Sequence, residues 1–338
     1  MAHRLLVLLP LALLGAGATA WGVLAIRYSD IERDGLRVAL AAAFAVFGLV
    51  AVGAFAHPRT RWWAAASFVL GFLLLLAWWS RIPPSNDRDW APEYAVLPRA
   101  TVEGDRVTLH NLRNFDYRTE TDFTPRYEER TYDLRRLDSV DLVASYWMGE
   151  AIAHVMLSFG FGGESFVMIS VETRRERSEG YSTIKGFFKQ YELFYVVADE
   201  RDVIRLRTNY RENPPEDVYV YRTNGRPAEI RRVFLDYLRE INVLAERPFW
   251  YNTLTTNCTT AIMTHLRVNP DHAPMSWKVL LSGYAPLYAW ERGALDTRLS
   301  FEDLKARSRV NDAARAADRA PDFSQRIRQG LPLAVAAD

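Results

Sequence analysis

The segment Tyr251-Asn252-Thr253-Leu254-Thr255-Thr256-Asn257-Cys258-Thr259-Thr260 holds the only cysteine of the chain. Thr256 and Asn257 are helix N-cap residue types, and Ala261, Ile262, His265 and Leu266 follow at helical spacing. The pattern predicts that Cys258 starts a helix. Unpaired backbone N–H groups and the helix dipole would there favour a thiolate, and could later hold the oxyanion of a tetrahedral intermediate. That chemistry is nucleophilic attack on a carbonyl carbon. The competing reading is a buried cysteine acting as a small hydrophobe. Spacing does not choose between them, because such a thiol is activated only when a base is near.

Four histidines lie beyond the apolar N-terminal quarter: His110, His154, His265 and His272. His265 is two helical turns past Cys258, too far along the helix to touch the sulfur. His110 and His272 sit beside Asn111 and Asp271 in turn-like surroundings. His154 begins the strand-like run His-Val-Met-Leu-Ser-Phe-Gly-Phe, on the face opposite Val155, Leu157 and Phe159. A satisfied core histidine and a catalytic base both fit that position.

Strand register supplies the candidate third residue. His154–Phe161 and Glu164–Thr173 flank Gly162-Gly163 and read as a hairpin. A two-residue loop would mix polar and apolar side chains on both faces. A three-residue loop, Phe161–Gly163, instead puts Val155, Leu157 and Phe159 with Val167, Ile169 and Val171. The other face then gathers His154, Met156 and Ser158 with Met168, Ser170 and Glu172. That register sets Ser170 opposite His154 and Glu172 on the diagonal. Either could hold the imidazole tautomer, and Glu172 could equally pair with Arg174 or Arg175.

The elements around these residues read as α+β. Strands are expected at Thr101–Leu112 around a Gly104-Asp105 turn, then at Val140–Trp147, His154–Phe159 and Ser165–Thr173. Leu193–Ala198, Val203–Arg207 and Val218–Tyr221 complete the set. Ile230, Val233, Phe234, Tyr237, Leu238, Ile241 and Leu244 form the core-facing stripe of a helix after Pro227. Another helix is expected over Pro286–Leu295. Large residues through Val279–Leu295, with Trp277 and Tyr288, suit either a helix packed on the sheet or a membrane interface. An antiparallel sheet followed by helices is the expected architecture.

Three apolar runs precede this domain, at residues 5–26, 38–56 and 62–80. A span needs roughly 20 apolar residues, so each can cross a bilayer. Trp62-Trp63 and Trp78-Trp79 bracket the third, where interfacial aromatics belong. Ala18-Thr19-Ala20 also resembles a signal-peptide cleavage site. With the first run kept or removed, residues 82–338 reach the same, extracytoplasmic side. Arg59 and Arg61 in the short inner loop fit that orientation, while Arg27, Arg33 and Arg37 in the outer loop do not. Residues 82–98 read as a linker, 99–300 as the chemical domain and 301–338 as a C-terminal tail, of which 308–338, rich in Arg, Ala and Asp, fits either a helix or a loose segment.

Composition excludes other classes. Among 338 residues, 42 Lys+Arg balance 41 Asp+Glu, which argues against a nucleic-acid partner. One cysteine rules out an internal disulfide and a multi-cysteine zinc site. No metal-ligand spacing, Gly-rich phosphate loop or nucleotide motif is present, so no cofactor is expected.

The blocks Ala153–Phe161, Ser170–Glu176, Tyr191–Arg211 and Tyr251–Thr260 resemble the Lnb N-terminal periplasmic domain family, over roughly residues 95–300. That family is similar to the circularly permuted branch of the papain-like fold, in which the histidine strand precedes the nucleophile helix. The resemblance implies Cys258 as nucleophile and His154 as base. It implies a thiol hydrolase or acyltransferase, and its relatives are linked to bacterial lipoprotein N-acylation. The resulting expectation is an inner-membrane protein with a periplasmic Cys–His domain acting on an ester, thioester or amide carbonyl. Asn257 and Tyr251 are candidate oxyanion donors beside the Cys258 N–H. Membrane lipid is the expected partner, with lipoprotein or peptidoglycan as candidate substrates. A cell-wall peptide hydrolase and a non-catalytic domain binding an envelope partner are the alternatives.

Overall fold

The computed structural model describes residues 2–31 and 33–332. Residues 333–338 of the expected tail, and Glu32 in the first loop, lie outside the described residues. The chain forms two compact units, one reaching Ser85 and including Tyr181–Glu192, the other built from Asn86–Gly180 and the residues after Glu192.

The first unit contains α1 (Ala2–Arg27), α2 (Asp34–Phe55) and α3 (Arg61–Ser80). All three are long and apolar enough to cross a membrane. α1 runs unbroken through Ala18-Thr19-Ala20. Trp21 meets Phe72 and Trp79 edge-on, at 5.8 and 5.3 Å between ring centres. Leu13, Leu14, Leu49, Val50, Leu70 and Leu74 point outward, a surface that water would penalise and lipid would not. The inserted segment Tyr181–Glu192 packs here as well. Phe188 lies against Trp21 and Tyr28. Lys189 Nζ donates to the carbonyl oxygens of Trp79, Ser80 and Ile82 and so satisfies the end of α3.

The second unit is an α+β domain. Its strands are β1 (Arg99–Glu103), β2 (Arg106–Arg113), the short ribbon β3 (Asp116–Tyr117) and β4 (Phe123–Thr124), and β5 (Tyr127–Asp133). Then come β6 (Leu137–Tyr146), β7 (Ala153–Phe161), β8 (Ser165–Arg174), β9 (Glu192–Asp199) and β10 (Asp217–Arg222). The main sheet runs β1-β2-β9-β8-β7-β6-β10, with β5 also paired to β2. It is mixed, not antiparallel throughout: β2 and β9 pair in parallel at Arg113 and Ala198. The apolar pattern of a single strand carries no information about the direction of its neighbour.

Both faces of the sheet are buried, so its central strands read as nearly continuous apolar runs. On one face, Phe159 packs against Phe234 and Tyr237 of α5 (Pro227–Glu246). On the other, Met156, Met168, Val143 and Val220 join Val203 and Ile204 of α4 (Glu200–Arg205). Residues 203–207, expected as a strand, form the end of α4 and the start of a π-helical turn over Leu206–Tyr210. A short buried Val-Ile run fits either state. The Asp199 side chain, accepting from Arg201 N at 2.9 Å, starts the helix.

Beyond Cys258, α6 (Cys258–Leu266), α7 (Trp277–Leu280) and α8 (Ala285–Glu291) follow. Thus Val279–Leu295 is not one helix but short pieces, with Val279 buried and Leu280 and Leu281 exposed. The C-terminal region is helical and packed. α9 (Phe301–Arg307), α10 (Asn311–Ala316) and α11 (Phe323–Arg326) place Val310, Ala314, Ala317, Phe323 and Ile327 in the main core. Alanine-rich sequence at helical spacing conceals how few large residues such packing needs. The expected linker is ordered from Asn86, with Trp90 and Tyr94 buried and the Arg174 guanidinium 4.1 Å over the Trp90 ring.

Candidate active site

Hairpin geometry brings the polar residues together. Gly162 and Gly163, both at positive φ, and Glu164 form a three-residue loop, and Phe161 pairs with Ser165. The expected loop was Phe161–Gly163, so the register is two residues further along. A two-residue shift leaves every side chain on its face. His154, Ser170 and Glu172 therefore share a face, but continuing the register sets Glu172, not Ser170, level with His154.

His154 Nε2 lies 2.6 Å from Ser170 Oγ and 3.0 Å from Glu172 Oε1. Ser170 Oγ donates in turn to Glu172 Oε1 at 2.8 Å. Cys258 is close enough to the imidazole to act on its charge. Burial alone would lower the His154 pKa. The Glu172 carboxylate and Cys258 outweigh it and raise the value to about 9. Glu172 shows the complementary effect. Burial opposes its charge, yet His154, Arg207 and the Ser170 hydroxyl hold it well below the usual carboxylate range.

Behind Glu172 stands Arg207, which the sequence reading did not single out. Its Nη2 donates to Glu172 Oε1 at 3.2 Å, and its Nε lies 3.6 Å from Glu216 Oε2. Glu216 also takes Arg211 at 2.5 Å and the Ser145 hydroxyl. Arg207 sits on the π-helical turn, a distortion often found at functional sites. Arg174, by contrast, donates to Tyr94 O and Asn86 Oδ1. A charged residue within an apolar run, Val-Ile-Arg-Leu-Arg, was the available signal.

Cys258 begins α6 as its spacing requires, and is half-buried. Asn257 Oδ1 accepts from Thr260 N at 2.9 Å and Thr259 Oγ1 at 3.0 Å. Its Nδ2 donates to Thr253 O at 2.7 Å. Asn257 is thus the helix cap, with one of its two amide N–H donors engaged by the preceding loop. Tyr251 is buried at the head of the loop that leads to Cys258. The other histidines are placed elsewhere. His265 bonds Asp236 at 2.9 Å and Tyr195 at 2.9 Å, His110 bonds Glu129 at 2.6 Å, and His272 faces the Ala273 carbonyl.

The family model of the Lnb N-terminal periplasmic domain matches residues 123–283. This segment belongs to that family. No curated protein and no solved structure matches the chain. The Lnb N-terminal domain so delimited contains His154, Ser170, Glu172, Arg207 and Cys258 together, on a chain that also carries three helices able to span a membrane. Among the described residues, no group of three or more His, Cys, Asp or Glu is placed to hold a metal ion.

Proposed function

We propose that the chain is a membrane-anchored thiol acyltransferase or hydrolase of the bacterial inner membrane, with its Lnb N-terminal domain in the periplasm. The observation that carries the reading is His154 set between Cys258 and the Ser170–Glu172 pair. The order of a histidine strand before a cysteine helix fits a permuted papain-like arrangement.

In the proposed reaction the Cys258 thiolate attacks the carbonyl carbon of an ester, and the carbonyl electrons move to oxygen. The backbone N–H groups at the start of α6 are suited to that oxyanion. Collapse breaks the carbon–oxygen bond, and the departing alkoxide takes its proton from His154. A thioester remains on Cys258. An amine or water then gives a proton to His154 and attacks the thioester, releasing the thiolate. Glu172 keeps the imidazole oriented and favours its charged form. A lipid ester is the favoured donor, because spanning helices hold the domain where that donor is concentrated.

Intact mass of the full chain after incubation with phospholipid tests the reading. An added acyl mass that is absent from Cys258→Ser supports it. Equal labelling of Cys258→Ser, or digestion of isolated sacculi without any lipid adduct, would overturn it.

A further inference from the structure

The segments on either side of Cys258 carry large apolar side chains to the surface. Phe249 and Leu254 precede it, and Met275, Trp277, Leu280 and Leu281 follow α6, each between 40 and 58 % exposed. They are held around the same site. Asn257 Nδ2 ties the Leu254 loop through Thr253 O at 2.7 Å. Thr259 Oγ1 holds the α7 segment through Val279 O at 2.6 Å. Gly283 N, at 3.0 Å from Ala151 O, joins that segment to the start of the His154 strand. Single exposed leucines are ordinary, but six large residues bracketing one nucleophile form a rim. Trp277 stacks edge-on against Tyr284 at 5.5 Å with the Lys278 ammonium 5.8 Å from its ring, a composition that suits a wet–apolar boundary.

One edge of this rim adjoins the segments that lead to the spanning helices. The chain passes between the two units at Ser85–Asn86, Gly180–Tyr181 and Glu192–Leu193, so three crossings lead to residues that pack with the spanning helices. One crossing abuts the rim: Leu193 N donates to Phe249 O at 2.7 Å. Asn86, at another, donates to Leu244 O at 2.9 Å on the helix leading to Phe249.

We propose that this rim enters the interfacial layer of a lipid bilayer and that the lipid surface presents the acyl carbonyl to Cys258. Only the second half of that statement rests on the proposed function. The test uses full-length Cys258→Ser in phospholipid nanodiscs, with Leu254→Cys, Trp277→Cys or Leu281→Cys added singly and labelled with an environment-sensitive fluorophore. Arg135→Cys, at a side chain 73 % exposed, is the control. A blue shift and about twofold quenching by nitroxide-bearing lipid are expected at the three rim positions but not at the control. Water-like emission at all three overturns the proposal. A blue shift without lipid quenching also overturns it, because it reports a protein occupant such as a second copy of this chain. If the labels meet lipid while the wild type takes up no acyl group, the docking stands and the enzymatic reading fails.

Discussion

Glu172 Oε1 lies 3.0 Å from Nε2 of His154 and 3.2 Å from Nη2 of Arg207, so one carboxylate oxygen joins a histidine to a buried guanidinium. The arrangement sets the electrostatics of the site from behind. His154 and, behind it, Arg207 keep Glu172 ionised despite burial, and Glu172 in turn favours the protonated imidazole.

Glu172→Gln should lower the His154 pKa, since burial then acts with less opposition. In the wild type, folding raises this pKa from 6.5 to about 9, so the folded state holds the proton more tightly. The sign follows from linkage: the stabilisation is complete below about pH 6.5 and disappears as pH rises through 9. Its size is of order 3 kcal/mol. Glu172 has the opposite dependence, contributing above pH 4.5 and losing its contribution in acid. Denaturant unfolding of the wild type should therefore be most favourable to the fold between these limits. The alkaline slope should flatten in Glu172→Gln, and an unchanged slope would show that another group charges His154.

Ser170→Ala separates the two candidates for the third residue. The hydroxyl bridges His154 and Glu172, but Glu172 reaches Nε2 without it. Loss of one neutral bridge should slow Cys258 acylation by about tenfold or less, as expected from roughly 1 kcal/mol per hydrogen bond. Glu172→Gln should cost more. Single-turnover acylation of both variants measures the order, and a larger loss in Ser170→Ala would make the serine the orienting group.

Gly283→Ala should disturb the site through the backbone. A Cβ there would stand 1.9 Å from the Glu150 carbonyl oxygen, with no flexible side chain to yield. Gly283 also accepts the Tyr146 hydroxyl at 2.6 Å, and the neighbouring Ser282 takes the Ala153 N–H at 3.1 Å. The strand start that carries His154 must therefore shift. A destabilisation of about 1–3 kcal/mol is expected, with acylation reduced further than stability explains. A wild-type melting temperature together with wild-type acylation would mean that the segment moves aside freely.

Much of the site was legible because its signals are local. The N-cap pair before Cys258 and the alternation around Gly162-Gly163 each depend on a few adjacent residues. The faces of the hairpin followed from alternation, whereas the exact register did not, since a two-residue slip leaves the pattern unchanged. Arg207 and Glu216 were not legible. Each is brought to Glu172 by tertiary packing of the π-helical turn and the following loop, which no periodicity records. The strand reading of 203–207 failed for a related reason: burial from both sides removes the polar alternation that tells a strand from a helix.

The C-terminal helices close one side of the core. Arg328 lies 2.7 Å from Asp141 and 2.5 Å from Glu200, two carboxylates almost wholly buried, and its guanidinium sits 3.7 Å over the Phe166 ring. Phe323 and Ile327 fill the core beside it. Deleting residues 301–338 would uncover that core and leave two buried acids without their shared cation. The truncated chain should not fold, although it keeps all of residues 123–283 matched by the family. Arg328→Met is the narrower test, because it retains most of the apolar stem while removing the charge. A loss of about 3–5 kcal/mol is expected, because Glu200 would stay buried without a cation while Asp141 keeps Arg222. Urea unfolding of the full chain, followed by the near-ultraviolet signal of its tryptophans, measures it. A truncated chain that unfolds cooperatively at the wild-type midpoint would mean that the sheet face covered by α10 and α11 needs no cover.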